Sequence, residues 1–209
     1  GLSTSAPAGV PTGFAALDQL LPWRGWPPAS LSEVLTAQPG AGLALLLPML
    51  IALGRVSSER QPRWLLFVDP PFVPYGPALV ARGLDLERLV VVRAAADGPW
   101  AMEQALRSGA CALVLGWASE SGGIGTAVLR RLQLAAGDGD TPLVLLRAPA
   151  AAEQASPAAF RVAVQMARDG LDVTLLKLRG GRAGMTVRIA AHQDAGGERL
   201  IVSTACARA

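Results

Sequence analysis

Leu31-Ser32-Glu33-Val34-Leu35-Thr36-Ala37-Gln38-Pro39-Gly40-Ala41-Gly42-Leu43-Ala44 decides how this chain is read. It opens with a short, mostly apolar run, passes through a glycine-containing turn, and continues into an apolar stretch from Leu43 to Leu53 interrupted by Pro48. Strand, glycine turn and long helix, in that order, is the setting of a P-loop. Such a loop needs a lysine to reach the β and γ phosphates and a Ser or Thr to hold magnesium. Here Gly42 is followed by Leu43 and Ala44. Gly40, Gly42, Leu43 and Ala44 therefore read as a degenerate phosphate loop. Backbone amides at the helix start could still attract an anion, but nucleotide hydrolysis is not expected.

Working outward, short apolar runs alternate with helix-like segments. Strands are expected at Leu31–Leu35, Trp64–Val68, Leu89–Val92, Ala112–Leu115 and Leu143–Leu146. Helices are expected at Phe14–Leu20, Leu43–Val56, Pro77–Arg82, Pro99–Arg107 and Thr126–Ala136. Strands that are apolar throughout are covered on both faces, so the pattern implies an α/β fold with a mostly parallel central sheet flanked by helices. After Pro149 the rhythm changes. Arg161–Ala167, Leu171–Arg179 and Met185–Ile189 follow one another too closely for crossovers and read as antiparallel edge strands near the C-terminus, with Gly180 to Gly184 as a turn. One last short strand is expected at Leu200–Val202. Residues 1–11 read as a flexible lead-in, 12–192 as the domain and 193–209 as a tail.

At 209 residues and 51% hydrophobic composition the chain can bury a substantial core. The net charge of +3 is too small to imply nucleic acid by itself, but the basic excess lies after residue 160. Lys177, Arg179, Arg182 and Arg188 fall in twelve residues with no acidic residue between them. They are candidates for contacting DNA phosphate or an acidic partner surface; the plainer reading is a set of charges that keeps an edge strand soluble. Any DNA binding is expected to be weak and salt-sensitive.

Two cysteines, Cys111 and Cys206, with the single histidine His192 make no metal site, and none is expected. His192 reads as a surface or strand-end residue. No apolar stretch is long enough to span a bilayer and no signal peptide is visible, so a cytoplasmic location without membrane contact is expected. Among five tryptophans, Trp23 and Trp26 sit in a proline-rich loop and are the candidate partner interface. Trp64 and Trp117 border strands and are expected to pack in the core or at its rim.

Placed in this order, the elements resemble the RecA-like core in a catalytically degenerate form. Thr12-Gly13-Phe14-x-x-Leu17-Asp18 is similar to the opening of RecA-like domains. Phe67-Val68-Asp69-Pro70-Pro71 resembles the second strand, with Pro71 where that family carries its catalytic glutamate. Trp117 stands where the magnesium-associated aspartate belongs. With Leu43 in place of the lysine, the resemblance implies no enzyme activity and no cofactor. Within that superfamily the chain resembles the ImuA family at Pro70-Pro71-x-x-Pro74-Tyr75-x-Pro77-Ala78-Leu79, at Gly83-Leu84-Asp85-Leu86-x-Arg88-Leu89 and at Glu103-x-Ala105-Leu106-Arg107-Ser108-Gly109-Ala110-Cys111.

The ImuA resemblance implies a non-catalytic adaptor in SOS-induced translesion DNA synthesis. Its implied partners are ImuB and RecA, with an error-prone polymerase reached indirectly; self-association is left open. Arg107-Ser108-Gly109 and Leu115-Gly116-Trp117 also resemble SulA proteins, which implies the alternative of a cell-division inhibitor binding FtsZ. Lys177-Leu178-Arg179 stands where RecA carries a Lys-x-Lys pair that reaches a neighbouring subunit's nucleotide.

Overall fold

A computed structural model of the chain describes residues 8–55, 63–118, 123–190 and 204–206. Its nine strands are β1 (Leu31–Leu35), β2 (Trp64–Val68), β3 (Leu89–Val92), β4 (Cys111–Trp117), β5 (Leu143–Arg147), β6 (Phe160–Ala167), β7 (Gly170–Leu178), β8 (Thr186–Ala190) and β9 (Thr204–Cys206). They form one sheet in the order β3-β2-β4-β5-β1-β6-β7-β8-β9. Pairing is parallel from β3 through β6 and antiparallel from β6 through β9, which is the expected architecture. The strand expected at Leu200–Val202 lies outside the described residues, as do His192 and the N-terminal lead-in through residue 7.

Among the described residues five α-helices accompany the sheet: α1 (Ala15–Asp18), α2 (Pro39–Arg55), α3 (Gly76–Ala81), α4 (Gly98–Arg107) and α5 (Thr126–Asp138). On one face Leu45, Leu46, Met49 and Leu50 of α2 pack onto Val34, Leu65, Phe67, Leu113, Leu115 and Leu146. On the other, Met102 and Leu106 of α4 and Leu129 and Leu132 of α5 cover Leu31, Val68, Val114, Leu143 and Leu145. Strands β1 and β5 are buried at every position, which is why apolar residues dominate them and why the polar exceptions, Ser32, Glu33 and Arg147, are buried too.

Several motifs that carry the resemblances serve this packing. Thr12 donates through its backbone N–H and its hydroxyl to Asp18 Oδ1, at 2.9 and 2.7 Å. That closure presses Gly13 against Pro48 of α2, where a Cβ would lie 2.3 Å from the proline ring at a backbone φ of +85°. Phe14 and Leu17 enter the core beside it. Ser108 accepts from Ala110 N–H and donates to the Ala105 carbonyl, while Gly109 takes a left-handed φ of +64°; together they end α4. Gly116 lets α4 approach β4, since a Cβ there would stand 2.3 Å from Met102 Sδ.

Candidate functional site: a strand-end cleft and a basic hairpin

The carboxyl ends of parallel strands are where open α/β sheets bind ligands, and a cleft of about 700 Å³ lies there. Thr36 after β1, Asp69 after β2, Trp117 of β4 and Arg147 of β5 reach it, with Pro71, Pro99, Met102, Ile124 and Leu146 as apolar wall. The degenerate phosphate loop is further reduced than its sequence implies, because α2 begins at Pro39, four residues before the expected start. Gly40 and Gly42 belong to its first turn. Ala41 N–H bonds to the Gln38 carbonyl at 2.9 Å, the tight i→i−3 bond of a helix's opening turn. Gly42 serves helix-on-sheet contact: a Cβ there would meet Leu146 Cδ2 at 2.5 Å. Leu43 and Ala44 pack against the core.

Trp117 is half-buried and meets Phe67 edge-to-face, with ring centroids 5.4 Å apart. Pro71 is exposed at the cleft rim. Asp69 was not singled out by the sequence. It sits at a φ of +53°, and its Oδ1 accepts the N–H groups of Ala94 and Ala95 at 2.7 and 3.0 Å. This carboxylate ties the end of β2 to the segment that leads into α4.

Beneath the cleft lies an ion cluster that the sequence reading missed. Glu33 on β1 is fully buried and takes Arg147 Nη1 on Oε1 at 2.9 Å and Arg161 Nε on Oε2. Ser156 donates to Oε1 at 3.0 Å. Arg147 also donates to Gln154 Oε1, and Arg161 to the carbonyls of Ala151 and Gln154. The signal was present: a lone acid in a strand flanked by apolar residues is buried only when paired.

The basic hairpin extends this cluster. Lys177 Nζ donates to the Ser156 carbonyl at 2.6 Å, and Arg179 to the Pro157 carbonyl at 3.4 Å. Burial first, then the charges of Arg179 and Arg161, push the Lys177 pKa down. Arg188 lies directly opposite Asp172 in the β7–β8 register and forms a two-pronged pair with it at 2.7 Å. Arg182 stands exposed in the turn. Lys177 and Arg179 therefore share one side of the hairpin, whereas Arg188 is already neutralised, so the four residues do not form one free cationic patch.

The expected tryptophan interface is corrected. Trp26 is fully buried and packs edge-to-face on Phe160, centroids 5.4 Å apart. Trp23 is half-buried against the same core. An isolated bridge between Val10 and Trp26 draws the proline-rich loop inward. Among the described residues the three most exposed large apolar side chains lie elsewhere, in the loop after β2: Phe72 is 72% exposed, Val73 83% and Tyr75 72%. Among the described residues no group of three His, Cys, Asp or Glu could hold a metal, and no helix is long and apolar enough to cross a membrane.

The family model for the cell division inhibitor SulA matches residues 30–142, more than half of the chain. The chain belongs to the SulA family. SulA from Pseudomonas aeruginosa is 31% identical over 58% of this chain and 99% of that chain, with a TM-score of 0.45. The RadB recombinase is 18% identical over 87% of this chain and 96% of that one, with a TM-score of 0.64. The second likeness shows the fold: a RecA-like sheet that includes the antiparallel strands beyond the family match. No curated protein matches the sequence significantly. The SulA-family match spans the α4 end and the Gly116 contact described above.

Proposed function

We propose that this protein is a non-catalytic adaptor of the ImuA type, working in SOS-induced translesion DNA synthesis through contact with ImuB and RecA in the cytoplasm. The observation that carries the reading is the loop Pro70 to Pro77. It holds Phe72, Val73 and Tyr75 out in solvent, while prolines at 70, 71, 74 and 77 limit the chain entropy lost on docking. Apolar side chains clustered and exposed in this way favour a protein partner. The same block carries the resemblance to ImuA. Loss of the phosphate loop to α2 supports the absence of catalysis and of a nucleotide cofactor.

The family match favours a second reading, a cell-division inhibitor that binds FtsZ. Against it stands the region after residue 142, where β5 to β8 complete a RecA-like sheet outside the segment matched by the SulA model. Direct DNA contact is a minor part of the proposal, limited to Arg182 and to what Lys177 and Arg179 can release from their carbonyl partners. Co-purification of the full chain with ImuB, RecA and FtsZ tests the reading. Capture of ImuB supports it; capture of FtsZ alone overturns it.

A further inference from the structure

The strand-end cleft has a mainly apolar wall, to which three side chains bring oxygen or guanidinium groups. Thr36 turns its hydroxyl on Gln38, donating to the carbonyl at 3.1 Å and accepting the N–H at 3.0 Å. Arg147 is held by Glu33 and Gln154. Asp69 differs. Its Oδ1 accepts the Ala94 and Ala95 N–H groups, whereas its Oδ2 has no hydrogen-bond or ion-pair partner among the described residues. Two features fix that carboxylate where it stands. Asp69 and Ala95, bonded to each other, both take left-handed φ values, +53° and +51°; strained non-glycine backbone persists only where the surroundings enforce it. Gly98, the first residue of α4, leaves room for Oδ2, since a Cβ there would stand 2.5 Å from it.

We propose that this cleft receives an arginine side chain from a short, otherwise apolar segment of a partner protein, with the guanidinium donating to Asp69 Oδ2. A carboxylate with no cation beside it, set in an apolar wall, is complementary to a positive charge. Arginine is the cation that gives up hydration most readily and stacks on aromatic rings, and Trp117 lies on the same wall. Arg147 does not already serve Asp69. Strand β4 stands between β2 and β5, so the strands bearing the two residues run about 10 Å apart, and Glu33 draws the Arg147 guanidinium away toward β1. At about 700 Å³ the cleft holds more than one side chain. Pro71 and Pro99 on its wall are followed in sequence by Phe72 and Trp100, 72% and 61% exposed, so apolar neighbours of the arginine find cover as well. The inference rests on the adaptor reading for a protein partner and deepens it by naming the chemistry that the partner's segment must offer.

Random dodecapeptides displayed on phage and selected on the immobilised full chain are expected to be enriched in arginine between aliphatic or aromatic residues. By fluorescence anisotropy a selected peptide is expected to bind Asp69→Asn at least about tenfold more weakly, the loss of one charge-assisted hydrogen bond. Citrulline in place of its arginine, neutral and of the same shape, is expected to weaken binding to the unaltered chain as much, with no further loss on Asp69→Asn. Ala96→Trp, which fills the cleft from an exposed position on its wall, is expected to abolish binding. No enrichment, peptides enriched without arginine, or binding indifferent to Asp69→Asn or to Ala96→Trp overturns the proposal. Asparagine tolerates a left-handed φ and keeps an Oδ1 acceptor, so Asp69→Asn is expected to fold; should circular dichroism show otherwise, the citrulline peptide and Ala96→Trp decide. Arginine peptides that need Asp69, from a chain that fails to capture ImuB, would overturn the adaptor reading alone; capture of ImuB with no arginine preference would overturn this inference alone.

Discussion

Glu33 and Arg161 face each other across the parallel register of β1 and β6, a fully buried carboxylate against a guanidinium that is 7% exposed. Arg147 approaches the same carboxylate from β5. One acid thus holds two arginines at the point where the parallel half of the sheet meets its antiparallel half. Removing one partner of a buried ion cluster leaves uncompensated charge and costs about 3–5 kcal/mol. Glu33→Ala is expected to lose that much stability in urea denaturation. Glu33→Gln, which keeps an acceptor, is expected to lose less. A Glu33→Ala protein of unchanged urea midpoint would refute the assignment.

Gly40 and Gly42, at the start of α2, should respond in opposite directions. Gly40 has open space where a Cβ would stand, whereas Gly42 presses on Leu146. Within a helix Ala exceeds Gly by up to about 1 kcal/mol, so Gly40→Ala is expected to stabilise the protein. Gly42→Ala overpacks a helix–sheet contact and is expected to cost about 1–3 kcal/mol. Equal effects in paired urea titrations would mean that the turn keeps a loop conformation in which neither contact applies.

Much of this fold was legible because the parallel strands are covered on both faces and their apolar runs are unmistakable. Strand β2 matched its expected residues from Trp64 to Val68, and β3 matched from Leu89 to Val92. The start of α2 was misjudged because Pro39-Gly40-Ala41-Gly42 looks like loop chemistry. A proline in the first helical turn loses no hydrogen bond, and packing on Leu146 favours a glycine. The burial of Trp26 is not legible in the sequence, because its tertiary contact with Phe160 leaves no local trace. The cluster around Glu33 was missed for a related reason: its members lie over a hundred residues apart and meet only through strand order. Exposure of Phe72 and Tyr75 was likewise hidden, since a sequence gives the residue type and not what covers it.

Nucleotide is expected to find no cradle. The amides of Ala41 and Gly42 point along a regular helix, with Gln38 as their acceptor, so the backbone nest that holds phosphates in a P-loop is missing. Calorimetry with magnesium and ATP is expected to give no binding heat. Leu43→Lys with Ala44→Thr is expected to create no turnover, because side chains alone do not rebuild a loop. Binding with hydrolysis by the unaltered chain would contradict the non-catalytic reading.

Asp172 and Arg188 set an acid-range dependence on the antiparallel side of the sheet. The hydrogen bonds from Arg188 hold the Asp172 carboxyl below its usual pKa. A depressed folded-state value means that the contribution to stability is complete above the ordinary carboxylate range and is lost as pH falls through the folded value. The pair is largely exposed, so the effect is small and screened by salt. Asp172→Asn is expected to lower the urea midpoint slightly at neutral pH, and the difference from the unaltered protein is expected to close in strong acid. A gap that persists in acid would mean that Asp172 acts through packing.

Phe72 and Tyr75 contact little of their own chain, which separates binding from folding. Surface substitutions outside buried networks change stability by about 0.5 kcal/mol or less, so Phe72→Ala with Tyr75→Ala is expected to unfold in urea at nearly the original midpoint. Aromatic anchors at an interface commonly contribute more than about 1.4 kcal/mol, equivalent to tenfold in affinity. The double variant is therefore expected to bind ImuB at least about tenfold more weakly in a titration calorimeter, while Trp26→Ala, in the core, lowers stability first. Retained ImuB affinity in the double variant would move the docking surface away from this loop. Lost affinity with an unchanged urea midpoint would place it there, because no folding defect could then account for the loss.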